Sequence, residues 1–406
     1  MNILFLSIAE FDSIYQREIY PDLLREFMNN GHEIYVVSSS ERRYRKETRI
    51  INEGHCHILK VRVGNVTKSR FIEKGIATLL IESQFKNAIS KYFEKIKFDL
   101  VLYSTPPITL AKAIKFIKHR DGAKTYLLLK DIFPQNAVDL GIMSKKGISG
   151  LLYKMFRHKE KCLYNISDYI GCMSQANVDY VLNHNPEINP SIVHVCPNCI
   201  EVVDRSVDKQ TREDIRNKYG IPLKKKVFVY GGNLGKPQGI DFMIDCLKTQ
   251  SKNMNDYFLI VGDGTEYEKI ESFVQDKKPL NVKLMRRIPK VDYDKLVGAC
   301  DVGMIFLDHR FTIPNFPSRL LSYLQAKIPV LAVTDANTDI GTILTQNGFG
   351  WWCESNSSIS FCEMISNIKG EEICDKGDAG YRFLEEKYSV SKVYDDMIKI
   401  LGWIKI

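Results

Sequence analysis

Residues 230–241 read Tyr230-Gly-Gly-Asn-Leu-Gly-Lys-Pro-Gln-Gly-Ile-Asp241, and this stretch decides how the second half of the chain is read. Before it lies Val227-Phe-Val-Tyr230, an apolar run of strand type; after it Ile240, Met243, Ile244 and Leu247 are spaced for one face of a helix. The glycines therefore occupy a strand-to-helix turn. Such a turn offers unobstructed backbone N–H groups and the positive end of a helix dipole, both suited to a phosphate. Glycines also gather wherever a chain simply reverses, so a phosphate site and a plain turn both remain open here.

The same alternation recurs on either side. Strand patterns at 258–261, 282–285, 302–306 and 330–333 alternate with helical segments. In the first half, strands at 3–6, 33–37, 100–103, 125–129 and 169–173 alternate with patterns such as Tyr20, Leu23, Leu24 and Phe27. Alternation of this kind predicts mostly parallel sheets covered by helices on both faces. The expected fold is α/β, with two Rossmann-like doubly wound domains: 1–200, and 227–387 after a charged linker at 201–226. Ligands of such sheets bind at the carboxyl ends of the strands, so two of them in tandem predict a cleft. Val393, Met397, Ile400, Leu401 and Ile404 give segment 388–406 a helical face that packs back on the first domain.

With 406 residues, 44% hydrophobic and 26% charged, the chain has the composition of a globular protein with room for two cores. No apolar run reaches the roughly 18 residues of a membrane span. The first residues, Met1-Asn-Ile-Leu-Phe-Leu-Ser-Ile-Ala9, lack a basic region and read as a buried strand and not as a signal peptide. Ten scattered cysteines then suggest reduced thiols in a cytosol. Cys196-Pro-Asn-Cys199 has no second ligand pair and reads as the turn after a strand.

The net charge of +8 is uneven: residues 1–200 hold 28 Lys+Arg against 20 Asp+Glu, and 201–406 hold 29 of each. Between Lys60 and Lys161, 21 basic residues face 8 acidic ones. An excess of this size asks for an anionic partner. No nucleic-acid motif occurs among these residues, so no nucleic-acid partner is expected. Lys145, Lys146, Lys154, Arg157 and Lys159 instead surround Ile148, Leu151, Leu152, Tyr153 and Phe156, a basic rim around an apolar helical face. That pattern suits an anionic membrane surface, or else a core helix with solvated lysines.

Three loops of the second half would meet at one sheet edge: the glycine turn, Val261-Gly-Asp-Gly264 after a strand, and Phe316-Pro-Ser-Arg319 at a helix start. Alone, the second reads as a tight turn and the third as an ordinary helix start capped by Ser318. In this order, together with Ala299-Cys-Asp-Val302 and the block from Phe316 to Ala332, they resemble the donor domain of glycosyltransferase family 4, enzymes of the GT-B fold. Lys130-Asp-Ile-Phe-Pro-Gln-Asn-Ala-Val-Asp-Leu-Gly141 is similar to a loop of a bacterial surface-polysaccharide subgroup that includes N-acetyl-L-fucosamine transferases.

The resemblance implies roles. Gly231 and Gly232 would admit the donor diphosphate, Ser318 and Arg319 would clamp it, and Asp263, Gly264 and Arg287 would lie near base and ribose. An Arg aimed at a leaving diphosphate stabilises charge that develops in the transition state. This sequence also departs from the family. Asn233 and Gln238 stand where many members are basic, which leaves Lys236 to supply the charge; Pro314 and Ser322 stand where two glutamates usually touch sugar and ribose. Asp131, directly after strand 125–129, is the catalytic candidate that positions or deprotonates an acceptor hydroxyl; a cap, or a salt bridge with Lys130 or another basic residue, is the alternative. Asp292-Tyr-Asp294 has a metal-binding spelling but follows Pro289 at a helix start, so it reads as a cap, with no metal and no cofactor expected.

The implied function is a retaining glycosyltransferase, cytoplasmic and peripheral on the inner face of the membrane. It would transfer N-acetyl-L-fucosamine or another acetamido sugar from a UDP-sugar to a lipid-diphosphate-linked saccharide of capsule or O-antigen. A nucleotide-sugar epimerase of the same fold, and a non-catalytic glycosyltransferase-like subunit, are the alternatives.

Overall fold

The computed structural model describes residues 1–65 and 71–403, the side chains of 71–79 excepted. Lys68, Arg70, the Lys74 side chain and Ile404, which contributed to the charge and tail readings, lie outside the described residues. The chain divides into two compact units, one of Met1–Glu201 with the residues from Val390 on, the other of Val202–Ser389.

The first unit is built on an eight-stranded sheet. Its strands are β1 (Asn2–Ser7), β2 (Glu33–Glu41), β3 (Arg49–Glu53), β4 (Cys56–Val63), β5 (Leu100–Ser104), β6 (Lys124–Leu129), β7 (Tyr169–Cys172) and β8 (Val193–Val195), in the order β3-β4-β2-β1-β5-β6-β7-β8. All pairs are parallel except β3 with β4. Alternate residues face opposite ways along each strand. Leu4 and Leu6 meet Phe85, Ile114 and Leu163 from the helices Phe71–Tyr92, Ala111–Asp121 and Gly147–Ile166. Ile3 and Phe5 meet Leu24 and Phe27 of the helix Ile19–Asn29, together with Tyr394 and Met397 of the helix Val390–Leu401. The Tyr394 ring meets Phe27 edge-on at 4.8 Å, and its hydroxyl lies 3.0 Å from Nε2 of buried His32.

The second unit carries six parallel strands: β9 (Lys226–Asn233), β10 (Asp256–Asp263), β11 (Val282–Met285), β12 (Val302–Phe306), β13 (Val330–Thr334) and β14 (Gly350–Glu354), ordered β11-β10-β9-β12-β13-β14. The chain order runs outward from β9 in one direction and from β12 in the other. The topological switch point therefore falls between them, where open α/β sheets bind ligands. The register sets Gly232 beside Gly262 and Asn233 beside Asp263, so two glycine loops leave the sheet side by side.

The segment 201–226, read from the sequence as a linker, is packed into this second unit from Val202 on. Arg216, on the helix Lys209–Lys218, is among its most buried side chains. Its guanidinium donates to the carbonyl of Ala299 at 2.8 Å and to Asp301 Oδ2 at 2.7 Å, and bonds three further carbonyls after the helix. Charge made the stretch look solvated; a buried guanidinium with a bond at each of its three nitrogens instead ties the segment down.

Candidate active site

At the carboxyl ends of β9 and β10 lies a cavity of about 440 Å³ lined by Gly231, Gly232, Asn233, Asp263, Arg287, Arg319 and Ser322 among others. Those seven residues were named from the sequence. Gly231 leaves no room for a side chain, because a Cβ would lie 1.7 Å from the Tyr293 hydroxyl. Gly232 has φ +130°, a backbone that side-chain-bearing residues rarely adopt, and its missing Cβ leaves space 3.5 Å from the Arg319 guanidinium. At Gly262 a Cβ would overlap the carbonyl oxygen of Gly232 at 1.9 Å, so the second glycine loop is needed for close packing of the first.

Arg319 opens the short helix Arg319–Gln325. Its guanidinium carbon lies 4.3 Å from the centre of the Tyr230 ring, and no carboxylate pairs with it among the described residues. Its Nη1 is buried without a hydrogen-bond partner. Tyr230, Tyr293 and Tyr323 surround it, and burial pushes all three phenols up, Tyr323 to about 12. The cation is therefore bordered by neutral rings and hydroxyls. Tyr323 also props the loop, its hydroxyl accepting the Gly231 N–H at 3.3 Å and donating to the Met304 carbonyl at 3.0 Å. A desolvated guanidinium without an acid beside it is an anion site.

Four of the sequence-named residues lie elsewhere. Lys236 is exposed and does not line the cavity. Gln238 is a loop brace, its Oε1 accepting from Asn233 Nδ2 at 3.1 Å and from the Gly235 N–H at 3.2 Å. Gly264 packs under Leu234, whose carbonyl oxygen lies 2.2 Å from where its Cβ would stand. Ser318 holds the position before the helix but makes no side-chain cap bond, contrary to the reading of it as a cap.

The sequence reading missed Tyr230, Tyr293, Ile288 and Lys290. The signal lay in Asp292-Tyr-Asp294. Asp294 is not a cap: on the helix Lys290–Gly298 it pairs with Arg205 and with Lys290, while its neighbour Tyr293 turns into the cavity with Lys290. Among the described residues, no group of three or more His, Cys, Asp or Glu side chains is placed to hold a metal ion. Asp263 accepts the Arg287 N–H and an Arg286 Nη1 bond, each at 3.2 Å, which fixes the loop after β11 against that after β10.

In the first unit Asp131 follows β6. Asn136 Nδ2 donates to both its oxygens at 2.9 Å, and burial lifts the carboxyl to about 6. The salt bridge weighed with Lys130 is not formed; Lys130 Nζ donates to the Cys196 carbonyl at 3.0 Å. On the helix Gly147–Ile166, Ile148 is 88% and Leu151 69% exposed, with Lys145, Lys146 and Lys154 in solvent beside them. Phe156 packs against Phe133, and Arg157 turns inward to Glu160 and the His184 carbonyl, so neither belongs to that exposed face.

Residues 211–375, most of the second unit, match the family described as "Glycosyl transferases group 1". The chain is a glycosyltransferase. The "Probable glycosyltransferase WbjE" of Pseudomonas aeruginosa is 24% identical to this transferase over 324 residues, 79% of the chain and 78% of the relative. Two solved structures align along its whole length and share its fold, the GT-B fold. One is the Anabaena protein HepE in complex with UDP and glucose (TM-score 0.71, 12% identity, 99% of each chain). The other is WaaG, a glycosyltransferase involved in lipopolysaccharide biosynthesis (TM-score 0.66, 15% identity, 98% of this chain and 100% of that one). The "Putative colanic acid biosynthesis glycosyl transferase WcaI" of Escherichia coli is 23% identical over 290 residues, 68% of this chain and 66% of that relative. Among the described residues of this transferase no helix is long and apolar enough to cross a membrane.

Proposed function

We propose that the protein is a retaining, UDP-sugar-dependent glycosyltransferase that extends a lipid-diphosphate-linked saccharide during assembly of a bacterial capsule or O-antigen. The observation that carries this reading is the Arg319 guanidinium above Gly232, with no carboxylate beside it and its buried Nη1 unbonded, at the switch point of the second sheet. It supplies the charge that a departing UDP would need. In a front-face displacement the bond from C1 of the sugar to the diphosphate oxygen breaks while the acceptor oxygen bonds to C1 on the same face. The acceptor proton passes to a phosphate oxygen or to Asp131. The HepE structure with UDP and glucose supports the choice of nucleotide.

The acceptor side rests on the first unit's outer surface. Ile148 and Leu151 with their lysines share one face of the sheet with a basic groove of about 610 Å³ lined by Lys86, Lys112 and Lys115. Each basic residue near an anionic bilayer adds about 1 kcal/mol, so a handful gives reversible attachment. In this reading the enzyme sits peripherally on the cytoplasmic face, where a lipid-linked acceptor would be presented. The donor sugar in this reading is N-acetyl-L-fucosamine or another acetamido sugar.

The test is mass spectrometry of lipid-linked products after incubation with a panel of UDP-sugars. A saccharide lengthened by one acetamido sugar is the expected result. An isomeric nucleotide sugar formed without acceptor would turn the assignment to an epimerase, and no turnover of any UDP-sugar would remove it.

A further inference from the structure

Behind the cavity wall, one carboxylate serves two cations. Asp294 is buried, and its side chain accepts from Lys290 Nζ at 3.2 and 3.3 Å on one side and pairs with Arg205 on the other. Lys290 is half exposed and lines the cavity; Arg205 is mostly buried and lies outside it, facing a separate hollow of about 710 Å³. The backbone holds Arg205 in place: its N–H donates to the Gln325 carbonyl at 2.8 Å, and its own carbonyl lies where a Cβ on Gly298 would stand, 2.7 Å away. The charges do not balance, two positive against one negative.

We infer that Arg205 is a positioning residue for the donor site, drawing on the Asp294 carboxylate so that Lys290 keeps net positive charge toward the donor's diphosphate. The inference rests on the reading of the cavity as the donor site. The more buried cation interacts more strongly with a shared carboxylate, because the medium around it screens less. Arg205 is the more buried of the two partners, its side chain 21% exposed against 46% for Lys290. Without Arg205, Asp294 would neutralise Lys290, and the cavity would lose a cation without losing a side chain that lines it. Removing Asp294 has the opposite electrostatic sign: Lys290 is released, at the expense of a buried guanidinium left unpaired.

The experiment is calorimetric titration of the full chain with UDP, with a thermal melt of each variant. Arg205→Met should weaken UDP binding by about threefold to tenfold, Arg205→Lys should recover most of it, and in a Lys290→Met background Arg205→Met should change little, the mark of coupled residues. Asp294→Asn should melt earlier yet bind UDP no more weakly than the wild type, which a purely structural role for the cluster would not produce. An equal loss from Arg205→Met with and without Lys290 overturns the inference. So does unchanged affinity in Arg205→Met while Arg319→Ala is impaired. Absence of UDP binding by the wild type overturns the donor-site reading itself.

Discussion

The Arg319 guanidinium carbon stands 4.3 Å from the centre of the Tyr230 ring, and Tyr230 donates its hydroxyl at 2.6 Å to the carbonyl of Asn233, at the end of the same strand. One ring thus supports both the cation and the glycine turn that faces it. A cation over a neutral aromatic ring keeps its charge, and Nη1 of Arg319 keeps its N–H donors unengaged. Arg319 is therefore held in place without being neutralised, which is what a group reserved for an incoming anion requires.

Gly231→Ala should disturb this arrangement through Tyr293. A methyl group 1.7 Å from the phenol oxygen forces the ring to move, and overpacking of this kind costs about 1–3 kcal/mol. The expected outcome is a lower melting temperature together with weaker UDP binding. Gly348→Ala, at an open position with φ +69°, is the control: it strains the backbone but leaves UDP affinity alone.

Asp131→Asn should lower kcat by about 10²-fold or more while leaving UDP affinity intact, since the group acts on the acceptor. Burial lifts the Asp131 carboxyl to about 6, so the wild-type rate should rise with pH through that value and level off above it. Stability runs the other way at this group. Between its ordinary value near 3.8 and about 6 the folded state holds more protons than the unfolded chain, so its contribution falls as pH rises across that window. A rate profile flat from pH 5 to 8 would rule out Asp131 as an ionised participant.

Much of this was readable in the sequence, and the failures have physical causes. The strands from 227 to 333 announce themselves because central parallel strands are apolar on both faces. β3 was missed because this edge strand is only partly buried and carries Arg49 and Glu53, and β4, though largely buried, because Lys60 and Arg62 interrupt its apolar pattern. The glycines and Arg319 were legible because backbone demands fix residue type locally. Tyr293 and Lys290 were not, since their roles depend on which way the helix Lys290–Gly298 turns, and that is set by packing against Gly231 and Arg205. That Lys236 lies outside the cavity lining was not legible either, because its place in the quoted turn says nothing of its direction.

His32 gives the C-terminal helix a pH dependence. Burial lowers its imidazole to about 4, and its Nε2 meets the Tyr394 hydroxyl. Between about 4 and its ordinary 6.5 the unfolded chain binds more protons than the folded one, so stability is full above that window and is lost as pH falls through it. The melting temperature of the wild type should exceed that of His32→Gln at pH 7, and the gap should close toward pH 4.5. A gap independent of pH would show that His32 only fills space.

Flotation with anionic liposomes addresses the exposed helix face. Binding should fall with added salt and with Lys145, Lys146 and Lys154 changed to Glu, while UDP affinity stays unchanged. Salt-independent binding, or none, would return the helix to an ordinary solvated surface.

The central claim, that the cavity beside Gly231 and Gly232 receives the anionic part of a UDP-sugar through Arg319, is tested most directly by titrating UDP into the wild type, Arg319→Ala and Lys236→Ala. The account predicts saturable binding to the wild type, a loss of about tenfold or more in Arg319→Ala, and no change in Lys236→Ala, whose side chain points to solvent off the cavity. No binding to the wild type at millimolar UDP, or equal affinity in wild type and Arg319→Ala, would contradict it.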